Sequence, residues 1–221
     1  MRAIEYIKNK LLIKKNRQIT LLLSGGESVK LIYSQLFKLI KNNINTQIFL
    51  TDERITSNKN YLNEKKIKDM LIKCNLSKYN FLSLSSELKK RKKTFNLVKN
   101  YNRQIIDFAI LGMGSDGHIA SLFPAMDNYR IATSFNAKKS LLVTKKIGNP
   151  FCKRITVNLS LILSAQEIFI IVNSKPRYNL LKFILKKKLI NFPIFKLLNY
   201  GEKKIKVIYK DNFMSFREYL E

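Results

Sequence analysis

Along the chain, short apolar runs alternate with longer stretches in which apolar residues recur at helical spacing. The run 19–23, Ile-Thr-Leu-Leu-Leu, has the length of a buried strand, and Ser24-Gly25-Gly26 follows it at once. Residues 28–40 then carry Val29, Leu31, Ile32, Leu36, Leu39 and Ile40, the pattern of an amphipathic helix. The same reading predicts strands over 48–50, 81–84, 108–111, 141–144, 168–172 and 205–209, and helices over 62–72, 87–106 and 176–187. Pro176 suits the first turn of the last helix, where its missing N–H costs nothing. Repeated strand–loop–helix succession predicts an α/β fold, a mainly parallel sheet flanked by helices in a Rossmann-like layout. No repeat, Pro/Gly/Ser-rich linker or shift in composition interrupts it, so residues 1–221 read as a single α/β domain.

Sheets of this kind bind ligands beyond the carboxyl ends of their strands. Three of the predicted strand ends carry polar groups: Ser24-Gly25-Gly26, Thr51-Asp52-Glu53-Arg54, and a glycine-rich stretch that leads to His118. A Gly-Gly turn between a strand and a helix is often only a tight turn, but it also presents N–H groups at a positive helix end, which suits a phosphate. Neither a Walker lysine motif nor G-x-G-x-x-G is present, so ATP and dinucleotides are not supported. Asp52-Glu53-Arg54 reads first as a solvated loop; the functional reading puts a carboxylate and a guanidinium at the mouth of a crevice, with Arg54 facing an anion or a developing oxyanion. Asp116 and His118 stand two apart in the glycine loop, and His118 is the only histidine. An imidazole beside an aspartate is well placed as a general base near neutral pH. With one histidine no multi-His metal site can be built, and neither a metal nor a cofactor is expected.

Composition changes this picture little. Of 221 residues 46% are hydrophobic, enough for a sizeable core. Lys and Arg number 42 against 15 Asp and Glu, a net charge of +27 that first suggests nucleic acid. The basic residues are spread along the whole chain, however, and the densest run, 89–93, steps round a full helical turn without making a stripe. Solvated faces are therefore favoured over a nucleic-acid surface. Under either reading a positive field speeds the arrival of an anionic substrate. Cys74 and Cys152 form no C-x-x-C pair and read as buried apolar residues in a reducing compartment. No apolar run reaches the ~18 residues of a spanning helix, and lysines interrupt the start of the chain, so the expectation is a soluble, cytoplasmic protein without a membrane partner.

Residues 111–124, Leu-Gly-Met-Gly-Ser-Asp-Gly-His-Ile-Ala-Ser-Leu-Phe-Pro, closely resemble the signature of the 6-phosphogluconolactonase family, within the superfamily that also holds glucosamine-6-phosphate deaminases/isomerases. The Ser121-Leu122-Phe123-Pro124 tail and the arginine of Asp52-Glu53-Arg54 are of the lactonase form; the deaminases usually carry Asn-Glu-Pro and a tyrosine there. Arg154-Ile155-Thr156-Val157, residues 170–181 and residues 207–211 resemble later segments of the same family. Glu27 and Val29 depart from its usual Ser and Pro, and Arg177 from its usual lysine. The resemblance implies hydrolysis of a small phosphosugar lactone, 6-phosphoglucono-δ-lactone, to 6-phosphogluconate in the oxidative pentose phosphate pathway. It implies a catalytic group of His118, Asp116, Arg54 and Asp52, and a phosphate site of Ser24, Gly25, Gly26, Arg154 and Arg177. Two alternatives stay open: isomerase or deaminase chemistry in which Asp52 moves a proton at C2, and a non-catalytic basic protein that binds nucleic acid.

Overall fold

The computed structural model describes residues 3–14, 17–41, 45–76, 80–84, 105–210 and 212–214. The predicted helix over 87–106 and the basic run 89–93 lie, apart from the last two helix positions, outside the described residues. Ten strands are described: β1 (Ile19–Leu23), β2 (Thr46–Leu50), β3 (Asp52–Ile55), β4 (Asn80–Leu82), β5 (Phe108–Gly112), β6 (Leu141–Val143), β7 (Lys153–Val157), β8 (Glu167–Val172), β9 (Ile205–Tyr209) and β10 (Asn212–Met214). The main sheet runs β10-β9-β8-β5-β1-β2-β4, parallel throughout except for the β9–β10 pair. Every residue of β1 is buried, as are four of the five in β5 and five of the six in β8. That is why these strands are continuous apolar runs: a parallel sheet covered on both faces has no solvent side to mark with polar residues.

Five longer helices accompany the sheet: α1 (Ala3–Ile13), α2 (Lys30–Ile40), α3 (Asn63–Lys73), α4 (Lys175–Lys186) and α5 (Pro193–Gly201). In α2 the buried positions are Tyr33, Leu36, Phe37 and Ile40, one face of the helix, and a three-residue 3-10 turn, Glu27–Val29, replaces its expected first turn. The sequence reading assigned no element to residues 3–13 or 193–201; lysines interleave the first of these, while its buried Ala3, Ile7 and Leu11 recur every fourth residue. The far end of the sheet is fastened by the buried Asp107, which accepts from Lys14 Nζ at 2.5 Å, Arg17 Nη2 at 3.0 Å and the Thr20 N–H at 2.9 Å.

Two expectations are corrected. Asp52-Glu53-Arg54 is not a solvated loop but strand β3, in a second sheet ordered β3-β7-β6 whose pairs are antiparallel. Thr51 is the junction: its N–H donates to Leu23 O at 2.9 Å in the first sheet, and its carbonyl accepts from the Val157 N–H at 2.8 Å beside the second. Glu53 is wholly buried because it caps α3, accepting the N–H groups of Asn63 and Glu64 (2.8 and 2.7 Å) as well as that of Arg54 (2.7 Å). A carboxylate at a helix start meets both the unpaired donors and the positive end of the dipole. The cysteines depart from expectation too, being half-buried, with no bond between them.

Glu53→Ala strands two buried donors and a part-buried one and opens a cavity, so it is expected to cost about 3 kcal/mol in urea unfolding. A loss below about 0.5 kcal/mol, the ordinary scale of a surface substitution, shows that the cap does not hold α3 to β3.

Candidate active site

Beyond the carboxyl ends of β1, β2 and β5 lies a pocket of about 180 Å³, walled by the β1–α2 turn, the loop after β5, strands β3 and β7 and the start of α4. Seven of the residues singled out from sequence line it: Ser24, Gly26, Asp52, Arg54, His118, Arg154 and Arg177. Gly25 lies beneath, where a Cβ would stand 2.3 Å from Asn63, so glycine there admits α3. Asp116 sits behind the histidine, outside the lining.

The glycine loop is a compact knot. The Gly114 N–H donates to His118 O at 2.9 Å and the Gly117 N–H to Gly114 O at 3.2 Å, while Gly117 takes φ +77°. Asp116 Oδ1 accepts the His118 N–H at 3.3 Å and also pairs with the ring Nδ1. A carboxylate only accepts, so a proton lies on Nδ1, which leaves Nε2 as the ring nitrogen that can exchange one. Burial raises the Asp116 carboxyl, but the hydrogen bond and charge of His118, with backbone N–H groups, outweigh it and hold the group below the usual aspartate range. The imidazole also stacks on Phe123, with centroids 4.2 Å apart and planes at 28°.

Asp52 is buried and fully engaged. Thr51 Oγ1 donates to its Oδ1 at 2.9 Å, Ser121 Oγ to its Oδ2 at 2.7 Å, and Asn63 Nδ2 to its carbonyl at 3.0 Å. Ser24 Oγ meets Thr51 Oγ1 at 2.9 Å, and Thr156 Oγ1 accepts the Ser121 N–H at 3.1 Å. The Ser24 N–H itself donates to Ile110 O at 3.0 Å, so the donors this turn can offer to an anion are those after Ser24.

The opposite wall is cationic. Arg54 and Arg154 are register partners across β3 and β7, a like-charge pairing that costs stability unless an anion sits against it. Arg154 is only 2% exposed; its Nε and Nη2 donate to the carbonyls of Ile147 and Pro150 at 3.1 and 3.0 Å. Burial first, and then the neighbouring Arg54, lower the Arg154 guanidinium from its ordinary value. Arg54 Nη1 donates to Tyr61 O at 2.6 Å, and Arg177 Nη1 to Asn173 Oδ1 at 2.8 Å. The Nε atoms of Arg54 and Arg177, though buried, have no partner among the described residues. Glu27 adds little negative charge at the rim, because Lys30 at 2.5 Å and Lys66 at 3.8 Å hold it; the Lys30 hydrogen bond is the main reason its carboxyl is lowered.

Ser121, Thr51 and Thr156 were assigned no role from sequence. Their hydroxyl pairings join segments far apart in the chain and leave no local periodic mark. Asn63 lies on the pocket wall, and its buried Oδ1 has no partner among the described residues. Among the described residues no three His, Cys, Asp or Glu side chains gather as a metal-ligand set, and no helix is long and apolar enough to cross a membrane.

Comparison with known proteins agrees with this geometry. The family model described as glucosamine-6-phosphate isomerases/6-phosphogluconolactonase matches residues 2–205. The chain is 29% identical over 205 residues to a 6-phosphogluconolactonase of Helicobacter pylori, covering 90% of this chain and 87% of that one. To the Thermotoga maritima 6-phosphogluconolactonase it is 26% identical, over 83% of each. A solved 6-phosphogluconolactonase of Shewanella baltica, 22% identical, shares the fold with a TM-score of 0.77 over 93% of this chain and 90% of that one. With the family model spanning nearly all of its length, and the pocket built from the segments that carry the resemblance, the chain belongs to the family of glucosamine-6-phosphate isomerases and 6-phosphogluconolactonases.

Proposed function

We propose that this chain hydrolyses 6-phosphoglucono-δ-lactone to 6-phosphogluconate, the lactonase step of the oxidative pentose phosphate pathway. The observation that carries this reading is the Asp116–His118 pair at a pocket walled by three arginines. That is a general base facing a site made for an anion. The names of the curated relatives point the same way.

A lactone is an activated ester, so water attacks C1 without a covalent enzyme intermediate. His118 Nε2 takes one proton from that water as its oxygen bonds to C1. The carbonyl oxygen becomes an oxyanion facing the unpartnered Nε–H of Arg54. When the tetrahedral centre collapses, the C1–O5 bond breaks and the imidazolium returns its proton to O5. The product is an open chain with a carboxylate at C1, and the carboxylate proton goes to solvent. Asp116 supports the imidazolium while it exists. The phosphate is held at the Ser24-Gly25-Gly26 turn by the N–H groups of Gly25 and Gly26, with Arg177 and Arg154 supplying charge. Contacts so far from C1 convert binding energy into orientation of the ring.

The isomerase alternative asks Asp52 to move a proton at C2. Both its carboxylate oxygens already accept hydroxyl hydrogen bonds in a buried setting, which suits a fixed scaffold better than a mobile base.

The test follows hydrolysis of freshly made lactone by coupled detection of 6-phosphogluconate, corrected for spontaneous opening. Turnover well above background is expected, with His118→Ala lowering kcat about 10²–10⁴-fold in a folded protein. A wild-type rate equal to background, or ammonia released from glucosamine 6-phosphate, overturns the reading.

A pH prediction follows from Asp116. Its lowered carboxyl means that its contribution is complete above about pH 4 and is lost only as pH falls through the depressed value. No loss of turnover from protonation of Asp116 is therefore expected above about pH 5. Asp116→Asn is expected to drop kcat about 10–100-fold, a smaller loss than removal of the base itself. An Asp116→Asn enzyme with wild-type kcat contradicts the assignment.

A further inference from the structure

The hydrogen bond from Nδ1 to Asp116 leaves one freedom of the His118 ring unaccounted for. A ring tethered through a single atom pivots about that bond, and a general base is productive only within about 10–20° of the right direction. What removes the pivot is packing against the face of the imidazole. Phe123 supplies that face, with centroids 4.2 Å apart, and is itself 4% exposed. Gly114 bounds the ring at another contact, since a Cβ there would lie 2.2 Å from Cε1 and Nδ1.

Phe123 is in turn held in place. The Arg154 guanidinium lies over its ring at 5.4 Å from the centroid. Gly148, at φ +75°, passes so close that a Cβ would stand 2.8 Å from Phe123 Cζ and 2.9 Å from Arg154 Nη2. Arg154 secures the same 147–150 loop through its bonds to Ile147 O and Pro150 O. The succession is continuous: β7 fixes Arg154, Arg154 and the loop fix Phe123, and Phe123 fixes the imidazole plane.

We infer that Phe123 is a positioning residue whose ring sets the plane of the His118 imidazole and so aims Nε2 at the attacking water. The inference rests on the proposed role of His118 as base. Arg154 gains a second task beside phosphate binding, as the clamp on the ring that holds the base.

His118 is the only histidine, so its ring protons are observable by NMR without interference from another imidazole. In the wild-type protein they are expected upfield of free histidine, displaced by the Phe123 ring current. In Phe123→Leu they move downfield. The same variant should lose about tenfold in kcat with KM within about twofold, because the aim of the base is disturbed while phosphate contacts remain. Phe123→Tyr, which keeps the aromatic face, should restore most of both signals. A folded Phe123→Leu enzyme with wild-type kcat overturns the inference, as do undisplaced His118 resonances in the wild type. If Phe123→Leu does not fold, the wild-type resonances and the Phe123→Tyr enzyme decide. Failure of the lactonase reading is distinct: it appears as absent wild-type turnover or an active His118→Ala enzyme, and leaves the resonance measurement intact.

Discussion

The carboxylate of Asp52 is where the two sheets, the glycine loop and the first strand end are tied together. It receives the hydroxyls of Thr51 and Ser121, and Thr51 in turn meets Ser24. Thr51 also bonds along the backbone to both sheets, so the turn from parallel to antiparallel pairing happens at one residue. Burying a carboxylate is costly unless its acceptors are filled. Here the two filling hydroxyls come from the adjacent Thr51 and from the distant Ser121, with Ser24 bonded to Thr51 in turn, and the need to satisfy Asp52 therefore holds those segments in one arrangement. The cradle around the pocket is a consequence of that constraint.

The second constraint is electrostatic. Arg54 opposite Arg154, with Arg177 nearby, concentrates positive charge in a partly buried space where, among the described residues, no acidic side chain is bonded to any of the three guanidinium groups. Such an arrangement is tolerated because each guanidinium donates to a carbonyl oxygen, of the backbone or of an Asn side chain, and an anion bound there would relieve the repulsion. The substrate class proposed here, a phosphate ester whose reaction generates an oxyanion and then a carboxylate, presents negative charge at both ends. Glu27 would oppose it, but its carboxylate is taken up by Lys30 and Lys66. The net charge of +27 adds a long-range attraction for an anion to this local one.

Much of the fold was legible because its strands are buried on both faces. A run such as Ile19–Leu23 or Glu167–Val172 announces itself when no solvent face interrupts it, and β9 was read with its bounds unchanged. The glycine loop was equally plain, since Asp116 and His118 interact across two residues and their chemistry is local. Strand β3 was not legible. Its charged residues look solvated until the capping of α3 by Glu53 and the pairing with β7 are known, and both depend on residues distant in sequence.

The amino-acid order alone thus determined the alternation that makes an α/β sheet, the glycine turn after the first strand, and the placing of the one imidazole two residues from an aspartate. These are properties of neighbouring residues, governed by periodicity, backbone freedom and side-chain chemistry. Tertiary structure decided that Asp52 is held by hydroxyls, that two arginines face each other, and that Phe123 lies against His118. Those outcomes depend on which distant segments share a boundary, and only the packed sheet and its crossing strands bring them within a few ångströms.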